Sequence, residues 1–340
     1  MSQFLINPYR FAAAGDPPFW EELGRTTLGS ANSDIAVSAF ADRTNLMIID
    51  HYTGGSNSSI VTGSQFNTDT ASSYNVRTSV NNAADATLVN QNSIENLGFG
   101  ATTSAFGVSY IENISGQEKL LMSNYVSENG STTASLPLLY ENAGKYADSS
   151  ASITTVTQTS DSAYTFDPDS EVVVLGYDSG KSTGDSVWEL VSRTTATGLT
   201  NPFITATFTP KNYMFVRVFI TGQTADPVIR FGTGGSIDSG TNYASRYSYN
   251  NGSSSTWANG TAFMGGISNV NPTMSEMFIV NHADYDKLCF GTSIDNGLAY
   301  QTQYHAKWKS AGNQIDIMEF QKNSGYTANA GSFIEIWGFD

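Results

Sequence analysis

The residues able to do chemistry are few. The chain has three histidines, His51, His282 and His305, and one thiol, Cys289. An imidazole acting as base or metal ligand needs partners near enough to converge on one atom, and none of the three sits in such a cluster along the chain. Two carboxylate groupings raise specific chemistry. Glu118, with Glu112 nearby, and Asp286 would suit a glycosidase pair, which requires two carboxyl groups facing each other about 5–10 Å apart; beside a lysine at a strand start they read more simply as solvated hairpin ends. Asp161, Asp167, Asp169 and Glu171 offer the oxygen ligands calcium prefers, without the EF-hand spacing, and read as an acidic loop. No Gly-x-Ser-x-Gly elbow, Walker loop or Cys/His zinc spacing occurs. The expectation is a protein with no catalytic residues, no metal site and no cofactor.

Internal duplication explains what the polar residues are doing instead. Trp20-Glu21-Glu22-Leu23-Gly24-Arg25-Thr26-Thr27 returns 168 residues on as Trp188-Glu189-Leu190-Val191-Ser192-Arg193-Thr194-Thr195. Tyr74, Arg77, Ser79, Asn81 and Asn82 return as Tyr243, Arg246, Ser248, Asn250 and Asn251. Asn113, Lys119 and Leu120 return as Asn281, Lys287 and Leu288, and Lys145-Tyr146 as Lys307-Trp308. Both copies close alike, in Leu175-Gly176-Tyr177-Asp178 and Trp337-Gly338-Phe339-Asp340. This alignment sets His51 opposite Phe219, His282 opposite Ile114, His305 opposite Ala143 and Cys289 opposite Leu121, so none belongs to a duplicated site. The doubled polar pairs, Tyr74 with Arg77 and Tyr243 with Arg246, are the candidate site. They form either a ligand-binding surface or intradomain struts, with guanidinium groups on loop carbonyls and aromatic rings.

The elements that position these residues are strands. Runs such as Leu46-Met47-Ile48-Ile49 and Met214–Ile220 are short and rich in β-branched and aromatic side chains. Gly/Ser/Thr/Asn turns separate them, and no long amphipathic helix is visible. The expected fold is all-β: two tandem antiparallel, jelly-roll-like sandwiches, copy one at 20–178 and copy two at 188–340, joined by a Gly/Ser tether at 179–187. The closing strands should be central in their sheets. Trp20 and Trp188, opening each copy, should seal a sandwich end with a large ring. Residues 1–19 have no counterpart in copy two and form an N-terminal arm whose Phe4, Leu5, Tyr9 and Phe11 are expected to contact another subunit.

Sixteen basic against 31 acidic residues give a net charge of −15, the wrong sign for tracking a phosphate backbone or an anionic membrane. No run approaches the ~20 apolar residues that span a bilayer, and no secretion signal is read at the start. Synthesis in a cytoplasm is expected.

The tandem Trp-Glu-x-x-x-Arg-Thr-Thr openings, the Tyr-x-x-Arg-x-Ser-x-Asn-Asn stretches and the Gly-Tyr/Phe-Asp closings resemble duplicated β-sandwich structural proteins of tailed bacteriophages, especially marine ones. The likeness covers most of residues 20–340. It implies a virion component, a capsid decoration or cement protein, with other capsid or tail proteins and further copies of itself as partners; the alternative it implies is a tail-fibre or appendage component binding a host glycan. Exposed aromatic platforms would mark the alternative, with Tyr247, Tyr249 and Trp257 as candidates.

Overall fold

A computed structural model describes residues 20–55, 60–100, 103–161, 164–178, 186–222, 228–249, 252, 254–264, 272–295, 301–321 and 328–340. The arm, with Phe4, Leu5, Tyr9 and Phe11, lies outside them, as do residues 179–185 of the tether. Among the described residues there are strands and no helix. The chain divides into two compact units: residues up to Asn129 with Leu139–Trp188, and Gly130–Leu138 with Glu189–Asp340.

In the first unit the larger sheet runs β1 (Glu21–Thr27), β12 (Glu171–Tyr177), β3 (Asn45–Tyr52), β8 (Ala105–Glu112), β9 (Lys119–Ser127), β10 (Leu138–Tyr146), β5 (Tyr74–Val80), β6 (Ala86–Gln91). The smaller runs β2 (Asp34–Val37), β11 (Val156–Ser160), β4 (Ile60–Phe66), β7 (Ile94–Phe99). If β5, β6, β9 and β10 are set aside, the remaining strands fall first–eighth–third–sixth in one sheet and second–seventh–fourth–fifth in the other, which is the jelly-roll order. The four omitted strands extend the larger sheet beyond β8. One core, including Ile35, Ile48, Phe66, Tyr74, Tyr125 and Val174, draws on both sheets.

The second unit repeats this order. Its larger sheet runs β13 (Glu189–Thr195), β25 (Phe333–Phe339), β15 (Tyr213–Ile220), β21 (Thr273–Val280), β22 (Lys287–Asp295), β23 (Gln301–Trp308), β18 (Tyr243–Tyr249), β19 (Ser255–Gly260). The smaller runs β14 (Phe203–Ile204), β24 (Ile317–Gln321), β16 (Val228–Thr233), β17 (Ser236–Ile237), with β20 (Phe263–Met264) also on β16. Even the irregularities are shared. Bulges fall between Glu22 and Gly24 and between Leu190 and Ser192, and again between Tyr74 and Val76 and between Tyr243 and Ser245. A bulge bends its strand and re-aims side chains, so both copies bend at the same places. The closing strands β12 and β25 are flanked on both sides, and their Val172–Leu175 and Ile334–Ile336 are buried on both faces.

Candidate functional site

Tyr74 and Tyr243 are fully buried, and each phenol anchors three backbone groups of its own unit. The Tyr74 hydroxyl accepts from the Phe66 N–H at 2.9 Å and reaches the carbonyls of Phe66 and Asp69 at 3.4 and 3.0 Å. The Tyr243 hydroxyl accepts from the Phe231 N–H at 3.0 Å and reaches the carbonyls of Phe231 and Asp238 at 3.0 and 3.1 Å. Burial raises both phenols well above their ordinary range. Each ring also stacks on the aromatic at the matched closing position, Tyr146 at 4.8 Å and Trp308 at 6.3 Å. These two tyrosines tie the extension strands β5 and β18 to β4 and β16 of the facing sheet.

Asp69 and Asp238 complete this hub. Their carboxylates accept from the backbone N–H of Ala71 and Gly240, both at 2.7 Å, closing equivalent turns, and Asp238 also accepts from the Trp308 indole at 2.7 Å. They and the two phenylalanines are not among the repeated residues read in the sequence above. Carried back from Tyr74, the same 169-residue offset pairs Asp69 with Asp238, which was the available signal.

A second strut is just as regular. The Asn113 amide donates to the carbonyls of Arg43 and Ile153 at 2.9 and 3.1 Å and accepts from the Ile153 N–H at 2.6 Å. The Asn281 amide donates to the carbonyls of Lys211 and Ile315 at 3.0 and 3.2 Å and accepts from the Ile315 N–H at 2.7 Å. Beside them, buried Lys119 and Lys287 donate to loop carbonyls, those of Gln117 and Asp148 and those of Ala283, Tyr285 and Ser310. Burial lowers the Lys287 ammonium to about 8.

The arginines differ between copies. Arg77 lies on the surface and pairs with Asp85 at 2.6 Å. Arg246 is half-buried; it donates to Ser254, at the position matching Asp85, at 3.0 Å and to the Pro137 carbonyl at 3.1 Å. Tyr247, Tyr249 and Trp257 lie together on β18 and β19 rather than on loops, half-buried against Val228 and Ala262, with the tyrosine rings 5.4 Å apart edge to face. Trp20 is buried against Tyr110 and Tyr177, and Trp188 is buried too.

The residues singled out for chemistry are dispersed. His51 is fully buried, and His282 packs edge-on against Tyr213. His305 is buried and stacked on Phe290; burial and the neighbouring Arg246 charge lower it to about 3, so it is neutral. Cys289 lies in the core, where burial pushes its thiol far up. Glu118 is exposed and pairs with Lys145 at 3.0 Å. Glu171 is drawn to Arg25 and Thr27, while Asp161 accepts from the Val61 N–H at 3.1 Å. Among the described residues no group of three or more His, Cys, Asp or Glu side chains is placed to hold a metal ion.

A buried polar network in the first unit has no signal in the repeat pattern. The Tyr125 hydroxyl donates to Asp50 at 2.7 Å and sits 3.0 Å from Ser109. Gln158 accepts from Ser64 and Asn96 at 2.9 and 3.0 Å, and Asn142 donates to the Asn96 carbonyl at 2.8 Å. Burial raises the Asp50 carboxyl to about 7, against the pull of Tyr125 and Gln158. By strand register Asp50, Ser64 and Gln158 correspond to Val218, Ile229 and Phe320 of the second unit, so the same positions are apolar there.

No family model matches the chain, and no curated protein matches it. Among solved structures, the tesB protein of Mycobacterium avium subsp. paratuberculosis is 9% identical over 75% of this chain and 81% of its own, with a TM-score of 0.13. Human GIVD cytosolic phospholipase A2 is 10% identical over 79% of this chain and 33% of its own, with a TM-score of 0.13. The ANXUR1 extracellular domain of Arabidopsis thaliana is 9% identical over 93% and 83%, with a TM-score of 0.16. At such scores none bears on the fold or activity of this chain.

Proposed function

We propose that this chain is a structural protein of a virus particle, a capsid decoration or cement protein anchored through its N-terminal arm. The observation that carries the reading is the use made of the duplicated polar residues. Tyr74 and Tyr243, like Asn113 and Asn281, are spent on backbone struts inside two jelly rolls of the same order. Duplication has kept architecture rather than a reactive constellation. Jelly rolls serve both viral capsids and lectins, and fold alone does not choose between them; the phage-like opening, central and closing motifs favour the capsid. On this reading the protein is non-enzymatic and its partners are other virion proteins and further copies of itself. The arm residues Phe4, Leu5, Tyr9 and Phe11 supply the apolar anchor. Peptide mass spectrometry of purified particles should find the chain in fixed ratio to the major capsid protein, and deletion of residues 1–19 should abolish its incorporation. Absence from purified particles overturns the reading.

The half-buried trio Tyr247, Tyr249 and Trp257 favours one alternative, a fibre or appendage component that stacks a host glycan on these rings. Binding on a glycan array that is lost in Trp257→Ala would replace the decoration reading with this one.

A further inference from the structure

Both sheets of the first unit turn polar side chains into its core. In the inward alternation of β3, Asp50 lies between Ile48 and Tyr52; on β4, Thr62 and Ser64 lie between Ile60 and Phe66. Gln158 on β11 is two residues from Val156, and Ser123 on β9 lies between Leu121 and Tyr125. The apolar members of these rows form the core, and the polar ones are just as buried. Their contacts link the two sheets. Ser109 and Asp50 meet at the Tyr125 hydroxyl, Ser64 and Asn96 at the Gln158 side-chain oxygen, and Asn142 donates to the Asn96 carbonyl and to Ser123 at 2.8 and 3.1 Å. Gln158 also lies close enough to the Asp50 carboxyl to favour its charged form.

The network is incomplete as protein. Asp50 Oδ1, Gln158 Nε2, Asn96 Oδ1 and Asn142 Oδ1 are buried with no hydrogen-bond partner among the described residues. Buried polar groups nearly always find one, in protein or in water. The second unit shows where room for a guest arises. Ser64, Ser109, Asn142 and Gln158 stand where Ile229, Met277, Tyr304 and Phe320 fill the other core, and Tyr125, opposite Ser293, returns only part of that volume.

We infer that the first unit binds ordered water between its sheets, bridging Asp50 Oδ1 and Gln158 Nε2, with the side-chain oxygens of Asn96 and Asn142 as further acceptors on the same network. The open groups decide the occupant. Gln158 Nε2 only donates and the asparagine oxygens only accept; water serves both, whereas a metal cation takes oxygens alone and is repelled by the Gln158 N–H. A buried water makes about three hydrogen bonds, which Asp50, Gln158 and one asparagine oxygen supply. The fold itself does not demand this site, since the second unit closes the same strand order around Val218, Ile229 and Phe320. The site stands apart from the virion reading, which neither requires nor tests it.

The test is a high-resolution crystal structure of the full chain, with a second crystal soaked in rubidium chloride so that anomalous scattering marks any monovalent-cation site. The wild type should show a density peak about 2.7–3.2 Å from both Asp50 Oδ1 and Gln158 Nε2, with no rubidium signal there. Gln158→Met, which keeps the side chain's length and removes its amide, should lose the peak. So should the triple variant Asp50→Val, Ser64→Ile, Gln158→Phe, which gives the first unit the residues of the second. An empty wild-type map at that position, a rubidium peak on it, or a water that persists in Gln158→Met overturns the inference. The wild-type map decides alone if a variant does not fold.

Discussion

Tyr74 and Tyr243 show how one hydroxyl decides whether a strand is held. Without its oxygen, the Phe66 or Phe231 N–H is left buried with no acceptor, and stranding such a donor costs roughly 1–3 kcal/mol. Tyr74→Phe and Tyr243→Phe should each lower stability by that order in denaturant titration of the corresponding unit, and an unchanged midpoint would show that the ring alone suffices. Asp50 and His305 make opposite demands on pH. The Asp50 carboxyl is raised from 3.8 to about 7 in the folded state. Its stabilising contribution is therefore complete below 3.8 and is lost as pH rises from there through 7, because the unfolded chain gives up the proton first. His305 is lowered from 6.5 to about 3. Its contribution is complete above 6.5 and is lost as pH falls toward 3, because the unfolded chain takes up the proton first. Thermal unfolding from pH 4 to 8 should show the first unit weakening toward the alkaline end and the second toward the acid end. Asp50→Asn should flatten the first profile, and a profile unaltered by that change would remove Asp50 as its source.

At the scale of elements, the paired arginines sit on matching strands and carry unequal loads. Arg77→Ala removes an exposed ion pair and should cost under about 1 kcal/mol, whereas Arg246→Ala frees a half-buried carbonyl and a loop hydroxyl and should cost about 1–2 kcal/mol. Equal losses in chemical denaturation would contradict this division. Repetition made these elements readable: the matched pairs Tyr74 with Tyr243 and Asn113 with Asn281 mark places where a strand end is tied to a neighbouring backbone, and short strands separated by Gly and Asn turns mark a sandwich, whose strand order only the pairing shows. What stayed hidden lacked a counterpart. Asp50 corresponds to Val218 in the other copy; its partner Tyr125 comes from β9, two strands away in the same sheet, and Gln158 from β11 of the facing sheet, neighbours that only the assembled sheets supply. Gly130–Leu138 reads as an ordinary Gly/Ser/Thr connection, and nothing local shows that Lys307 and Arg246 hold it.

At the scale of the whole molecule, sequence copies and compact units do not coincide, because Gly130–Leu138 is built into the second unit. A cut that respects the repeat therefore severs a piece of structure. Residues 189–340 expressed alone would leave Lys307 and Arg246 without the carbonyls of Gly130, Thr132 and Pro137, and would thin the cover over the strands that carry Leu288 and Phe290, both buried in the intact chain. Exposed apolar sheet of that kind associates nonspecifically. This fragment should melt at a lower temperature than the second unit of the intact chain and aggregate at concentrations where the intact chain is clear. Adding a synthetic peptide of residues 129–139 should raise its melting temperature, since a ligand that binds only the folded form stabilises it by mass action. Substituting Lys307→Ala in the fragment should weaken that response. A fragment as stable without the peptide as with it would show that the second jelly roll is complete in itself and that the segment merely rests on its surface.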